Sequence, residues 1–255
     1  MQISPELLLA KKETKIMQIV ALVPARFAST RFPGKPLARL KGKPLVQWVC
    51  EGTARCSLVN RVIVATDDER IAEAVADFGG EAVMTRSDHP SGTDRLAEAA
   101  SGLEADLVVN VQGDEPLIMP EMIEQALAPL IADPAIPMGT LRNPITDEAD
   151  LHNPNIVKVV TDRAGFALYF SRAPIPCRRE GGEIRAWRHV GLYVYRRDFL
   201  LKFARLAPTP LENLEKLEQL RALEHGYKIM VAETPFTSHG VDTPQDLERV
   251  AAMMG

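Results

Sequence analysis

Between residues 18 and 132, short apolar runs alternate with stretches of helical spacing, and this alternation limits the possible folds more than any other feature of the chain. Residues 18–23, 61–65, 81–84 and 106–111 read as strands, the last of them continuously apolar as a buried strand is. Residues 44–56, with Leu45, Val46, Val49, Thr53 and Cys56 near one face, read as a helix, as do 93–100 and 120–132. Asp68 stands where an N-cap belongs, ahead of a helix carrying Ile71, Val75 and Phe78 and stopped by Gly79-Gly80. A strand-helix-strand repetition of this kind predicts an α/β fold with a doubly wound, mostly parallel sheet.

After about residue 140 the pattern changes. Residues 156–160, 167–170 and 190–195 read as strands without long helices between them, which predicts an antiparallel addition to the sheet or an arm. The polar, glycine-containing stretch 178–185 reads as a mobile loop. Helices are expected over 198–205 and 211–224, a short strand over 229–231, and a closing helix over 244–253 capped by Thr243. Residues 1–16 read as a disordered extension, too short and too charged after Leu7-Leu8-Leu9-Ala10 for a signal peptide, and Met17 is an alternative start. Residues 17–255 then form one domain large enough to bury a substantial core.

Composition removes several function classes. A formal net charge of -4 gives no general affinity for nucleic acid, so cations gathered in one place point to a defined anion site. No apolar run approaches the roughly 20 residues that cross a bilayer. Cys50, Cys56 and Cys177 have neither metal spacing nor a disulfide framework and read as reduced thiols.

Five constellations can carry chemistry. The loop after the first strand, Ala25 to Lys35, holds Arg26, Arg31, Lys35, Ser29, Thr30 and Gly34. It lies at the carboxyl end of a strand, where open α/β sheets bind ligands. It suits a polyanion such as a nucleoside triphosphate, because Arg and Lys supply charge and Gly admits phosphate oxygens to backbone N–H groups. It is not a P-loop: Gly34 and Gly42 have the wrong separation, and Lys43 is followed by Pro44. In the second, Asn110-Val111-Gln112-Gly113-Asp114-Glu115-Pro116, Asp114 is either a turn residue or a magnesium ligand beside the cationic loop. In the third, Gly240-Val241-Asp242-Thr243-Pro244, Asp242 reads as a capping residue unless the fold brings it to Asp114. The fourth spans residues 84–95: Ser91 or Thr93 caps a helix there, while Arg86, Ser91 and Gly92 are equally able to read a base edge. The fifth comprises Arg172, His189, Tyr193, Glu218 and Gln219; His189 alone reads as structural. Leu214, Leu217, Leu220 and Leu223 mark an apolar helix side that leaves Glu218 and Gln219 to solvent.

Taken in order, these segments resemble the 3-deoxy-manno-octulosonate (Kdo) cytidylyltransferases. The resemblance runs from about Gln18 to Met254. It rests on Pro-Ala-Arg-Phe-Ala-Ser-Thr-Arg-Phe-Pro-Gly-Lys-Pro (24–36), Val-Gln-Gly-Asp-Glu-Pro (111–116), Ala-Leu-Tyr-Phe-Ser-Arg-Ala-Pro-Ile-Pro (167–176), His-Val-Gly-Leu-Tyr (189–193), Leu-Glu-Gln-Leu-Arg (217–221) and Gly-Val-Asp-Thr-Pro (240–244). It implies a Rossmann-like nucleotidyltransferase fold with a small dimerisation arm over about 156–205, a homodimer, and Mg²⁺-dependent transfer of CMP from CTP to Kdo with release of diphosphate, in the cytoplasm, for lipopolysaccharide synthesis. It also implies residue roles. Arg26 and Lys35 would hold the triphosphate with Arg31 nearby, Asp114 and Asp242 would bind magnesium, and Ser91 with its loop, Arg86 included, would face cytosine. Gln112, Arg172, His189, Tyr193, Glu218 and Gln219 would surround the sugar acid. Residues 178–185 depart from the family by being short. Alternative acceptors are the 8-amino analogue of Kdo and a sialic acid. A nucleotide-binding scaffold without catalysis is disfavoured by the retention of Lys35, Asp114 and Asp242.

Overall fold

The computed structural model describes residues 17–28, 31–177, 179, 183, 186–237 and 239–254. The expected extension 1–16, the hydroxyls of Ser29 and Thr30, and nearly all of loop 178–185 lie outside the described residues.

The first half builds the parallel part of the sheet. Its elements are β1 (Ile19–Ala25), a two-stranded hairpin of β2 (Arg39–Leu40) and β3 (Lys43–Pro44), α1 (Leu45–Ala54), β4 (Arg61–Thr66), α2 (Glu69–Asp77), β5 (Glu81–Met84), α3 (Gly92–Ser101), β6 (Leu107–Asn110) and α4 (Pro120–Ala132). Strand β1 pairs in parallel with β4 and β6, and β4 with β5. Successive β1 side chains enter different cores. Ile19, Ala21, Val23 and Ala25 join α1 and α4 residues such as Val46, Val49 and Ile123, while Val20 and Leu22 join α3 residues such as Leu96 and Ala100. Burial on both faces is why β1 carries no polar alternation. Each fully buried Leu or Val there contributes about 2 kcal/mol. Asp68 caps α2 through the Arg70 N–H, as its position predicts, an interaction of about 1 kcal/mol.

The second half adds β7 (Met138–Ile145), α5 (Glu148–His152), β8 (Lys158–Thr161), β9 (Ala167–Ser171), β10 (Ala186–Arg196), α6 (Arg197–Phe203), α7 (Pro210–Glu215), α8 (Gln219–Glu224), β11 (Ile229–Glu233) and α9 (Pro244–Met253). The nine-stranded sheet has the order β11-β7-β10-β6-β1-β4-β5, with β8 and β9 branching from β10. Strand β10 runs antiparallel to both β6 and β7, and β8 is antiparallel to β9 and β10.

Three expectations need correction. Strand β7 has no counterpart in the sequence reading, because Arg142, Asn143 and Pro144 interrupt its apolar pattern. The single helix expected over 211–224 is two helices, broken at Lys216, whose φ of 53° is left-handed. The break decouples the leucine stripe: Leu217 and Leu220 are buried while Leu214 is 80% exposed. Gln219 is therefore buried rather than solvated, at 5% exposure.

Candidate active site

The carboxyl ends of β1 and β6 and the entry to α9 meet at one point. Gly113 makes the meeting possible, since a Cβ there would stand 2.5 Å from the Pro24 carbonyl oxygen at the end of β1. The Val241 N–H donates to the Asp114 carbonyl at 2.9 Å, fastening the approach to α9 against the turn after β6. Gly34, with φ of 70°, starts the single 3-10 turn that carries Lys35, and its N–H donates to the Phe27 carbonyl at 2.9 Å. Lys35 Nζ then lies 2.7 Å from Asp114 Oδ2 and 3.2 Å from Asp242 Oδ1, and Arg31 Nη2 lies 3.1 Å from Asp242 Oδ2. Thr243 and Asp246 form the capping box of α9. Asp242 is thus free of capping duty and turns its carboxylate to the cations, so two groups separated by 128 positions share one ammonium.

Arg26 joins this cluster to the loop before α3. Its Nη2 donates to the His89 carbonyl at 3.0 Å, and burial together with neighbouring Arg95 holds its pKa below the usual arginine value. Arg95 is fully buried, donating to Asp67 Oδ2 at 2.8 Å and to the Thr85 hydroxyl. Ser91 caps α3, accepting from the Asp94 N–H at 3.2 Å and donating to Asp94 Oδ2 at 2.6 Å. Arg86 points outward and pairs with Asp88 at 3.0 Å. Phe27 is covered by the Arg70 guanidinium, 3.4 Å from its ring centre, and Asp68 grips Arg70 through two nitrogens.

The second half contributes a different kind of surface. A register shift between Val190 and Tyr193 bulges β10 where it crosses from β7 to β6. Gln112 Nε2 donates to the Gly191 carbonyl in that bulge at 3.3 Å. His189 lies between Phe170 and Tyr193, with ring centroids at 5.0 and 5.4 Å. The Thr140 hydroxyl is committed to the Val190 or Leu192 carbonyl, so it accepts from His189 Nε2 at 2.9 Å; this assigns the Nε2–H tautomer and leaves Nδ1 as the acceptor. Surrounding protein lowers the His189 pKa to about 3, so the ring is neutral, and the same burial pushes the Tyr193 phenol up. Both residues nevertheless keep a partly exposed surface. Glu218 accepts from the Thr93 hydroxyl, and its Oε1 is buried without a hydrogen-bond partner among the described residues. Burial raises its pKa, partly offset by the Thr93 and Ser91 hydroxyls.

The structure therefore gathers Arg31, Lys35, Asp114 and Asp242 into one cluster, and it links Arg26 to the 85–91 loop. Gln112 is joined to the β10 bulge, and Glu218 to the N-terminal turn of α3. A cavity of about 620 Å³ opens between Ser91, Asp94, Lys216, Glu218 and Arg221. Arg172 stands apart from these contacts, its guanidinium donating to the carbonyls of Glu215 at 2.7 Å, Pro154 at 3.0 Å and Lys216 at 3.4 Å. Sequence reasoning missed Thr140, Lys158 and Arg95, and gave Thr93 only as an alternative helix cap, whereas its hydroxyl donates to Glu218. Lys158 is fully buried and donates to the carbonyls of Asn153, Ile156 and Arg172, a role that no local pattern signals. Arg95 had a readable signal, a charged residue at a helical position next to the buried Leu96 and Ala99.

Asp114 and Asp242 suit a divalent cation as far as their number goes. Among the described residues no three His, Cys, Asp or Glu side chains gather as a metal site. Two carboxylates converging on one cation match magnesium, which completes its shell with phosphate oxygens and water.

Comparison with known proteins identifies the family. A family profile described as cytidylyltransferase matches residues 20–229. A 3-deoxy-manno-octulosonate cytidylyltransferase of Syntrophotalea carbinolica is 61% identical over 245 residues, 92% of this chain and 98% of that protein. The protein of the same description from Geobacter metallireducens is 60% identical over 92% of this chain and 96% of its own length. Among solved structures, a CMP:2-keto-3-deoxy-manno-octonic acid synthetase complexed with CTP is similar at a TM-score of 0.90 and 46% identity, covering 93% of this chain and 98% of that one. A 4-diphosphocytidyl-2C-methyl-D-erythritol synthase from Anaerococcus prevotii, at 12% identity and a TM-score of 0.62, shares the fold.

Proposed function

The chain belongs to the 3-deoxy-manno-octulosonate cytidylyltransferase family, and from that premise we propose that it couples CTP to Kdo, forming CMP-Kdo and diphosphate for lipopolysaccharide synthesis in the cytoplasm. It is a nucleotidyltransferase. The observation that carries the reading is the convergence of Arg31, Lys35, Asp114 and Asp242 at the carboxyl ends of β1 and β6.

In this reading the anomeric hydroxyl of Kdo loses its proton to solvent as its oxygen bonds to the α-phosphorus, the bond to the bridging oxygen breaks, and diphosphate leaves. Two anions must approach one another, so the main task of the site is to offset charge. Arg26, Arg31 and Lys35 bind the triphosphate and stabilise charge that grows on its oxygens. Asp114 and Asp242 would hold Mg²⁺, which when bound supplies further positive charge at the phosphates. In the free protein Lys35 and Arg31 neutralise these two carboxylates, so the site avoids self-repulsion before substrates arrive. Gln112, neutral His189, Tyr193, Glu218 and Gln219 present hydrogen-bonding groups to the sugar hydroxyls. Glu218 Oε1, which makes no hydrogen bond among the described residues and lies 3.9 Å from Arg221 Nη2, would take such a contact. Arg172 would serve the sugar carboxylate, acting from the junction of β9 with the α7–α8 break. We assign the homodimer arm to residues 156–205, where β9 is an edge strand carrying Leu168 at 62% exposure.

The test is diphosphate release from CTP and Mg²⁺ with Kdo, its 8-amino analogue and N-acetylneuraminate in parallel. Kdo should give much the highest kcat/KM. A preference for the 8-amino sugar would replace the acceptor and keep the nucleotide assignments. No release with any acceptor, from folded protein that binds CTP, would overturn the catalytic reading.

A further inference from the structure

The loop between β5 and α3 is closed by one carboxylate from the helix it precedes. Glu98 lies two turns into α3, and its Oε2 accepts from the Arg86 N–H at 3.0 Å and from His89 Nε2. These contacts tie down both ends of the four-residue span 86–89. The His89 ring is shielded, at 8% side-chain exposure, so the pair sits against the protein rather than in open solvent. The backbone carbonyl of the same His89 accepts from Arg26 Nη2 at 3.0 Å. Arg26 emerges directly from β1, and the charges of Asp67 and Asp94 also act on it. A path of hydrogen bonds thus runs from Glu98 through His89 to the first cation of the phosphate loop.

We propose that Glu98 is a positioning residue for the nucleotide: by closing the 86–89 loop it holds the His89 carbonyl in place, and that carbonyl aims the Arg26 guanidinium at the triphosphate. The inference rests on the assignment of CTP as the nucleotide. Glu98 itself touches no substrate. Its effect is exerted through the orientation of a cation that serves the triphosphate, so it belongs to the nucleotide and not to acceptor binding. Arg26 and Glu98 act in series, and their losses should not add.

The experiment is calorimetric titration of CTP into the full chain, with KM values for CTP and Kdo measured alongside. Glu98→Ala should weaken CTP binding about tenfold while KM for Kdo stays within twofold. Glu98→Gln, which keeps an oxygen acceptor for the Arg86 N–H, should recover most of the affinity. In the Arg26→Ala background, Glu98→Ala should change CTP binding by less than twofold. Should Glu98→Ala fail to fold, His89→Gln removes the ring contact while keeping the carbonyl and should show the same selective loss. Unchanged CTP affinity in Glu98→Ala, equal losses for both substrates, or a full additional tenfold loss on top of Arg26→Ala would each overturn the proposal. Wild-type protein that does not bind CTP would overturn the nucleotide assignment and this inference with it. Wild-type binding with an indifferent Glu98→Ala would overturn this inference alone.

Discussion

The two sides of the candidate site manage polarity in opposite ways. On the β1–β6 side the groups are charged and partly open to solvent. Asp114 and Asp242 have side-chain exposures of 30% and 45%, and cations on the phosphate loop neutralise them. On the β10 side the aromatic groups lie deep in the fold: His189 is held neutral with a pKa near 3 and burial pushes the Tyr193 phenol up, while Glu218, at 31% side-chain exposure, has its pKa raised by the protein around it. On the proposed function the difference matches the two substrates, a triphosphate on one side and a sugar acid on the other. A triphosphate brings its own charge and can displace or join ion pairs whose net worth in solvent is small. A sugar polyol brings hydroxyls, which are told apart by buried groups that pay dearly when left unpaired.

The sharpest way to break this comparison is at the carboxylates. Asp114→Asn keeps side-chain volume and removes a charge. Turnover with CTP and Kdo should fall at least about a hundredfold, while the thermal midpoint holds, because the Lys35 pair is partly exposed. Near-wild-type turnover at limiting Mg²⁺ would remove Asp114 from the metal assignment.

A smaller effect should come from Arg172, at the boundary between structure and substrate. Arg172→Ala should raise KM for Kdo about tenfold with little change in KM for CTP. Loss of its charged hydrogen bonds to three carbonyls should also cost about 1–3 kcal/mol of stability. Equal increases in both KM values would make Arg172 a support of the fold alone.

The smallest effect is a pH slope. His189 is depressed to about 3 in the fold against an unfolded value near 6.5. Between those values the unfolded chain binds the proton and the native chain does not, so this group lowers stability as pH falls from about 6.5 toward 3. The slope is at most about 1.4 kcal/mol per pH unit. Glu218, raised by burial, acts in the opposite sense above the unfolded carboxyl value. Urea unfolding of wild type and His189→Gln at pH 7 and pH 5.5 isolates the histidine: the variant should lose less stability on acidification. Parallel losses would show that the ring is protonated in the fold.

The sequence reading was strongest where local rules govern. Strand β5 and helices α4 and α9 have their expected bounds, because turn residues and Pro or Thr caps mark them. Strand β7 escaped because its polar residues serve distant partners: Asn143 donates to the Phe236 carbonyl at 3.0 Å and Arg142 pairs with Glu233 at 2.7 Å. The α7–α8 break escaped because the buried Arg221–Glu212 pair joins two short helices that share one leucine spacing. Asp242 shows the same limit within the site. Its local context spells a helix cap, and only the long-range contacts to Lys35 and Arg31 give it another role. The motifs named the charged residues, but which carboxylate meets which cation was decided by the folding of the whole chain.

The division of labour is tested most directly by a crossed pair of variants, Lys35→Met and Glu218→Gln, assayed for KM against CTP and against Kdo. The account predicts that Lys35→Met raises KM for CTP at least about tenfold more than KM for Kdo, and that Glu218→Gln does the reverse. Two variants that raise both constants by the same factor would contradict the separation of a charged nucleotide side from a buried acceptor side.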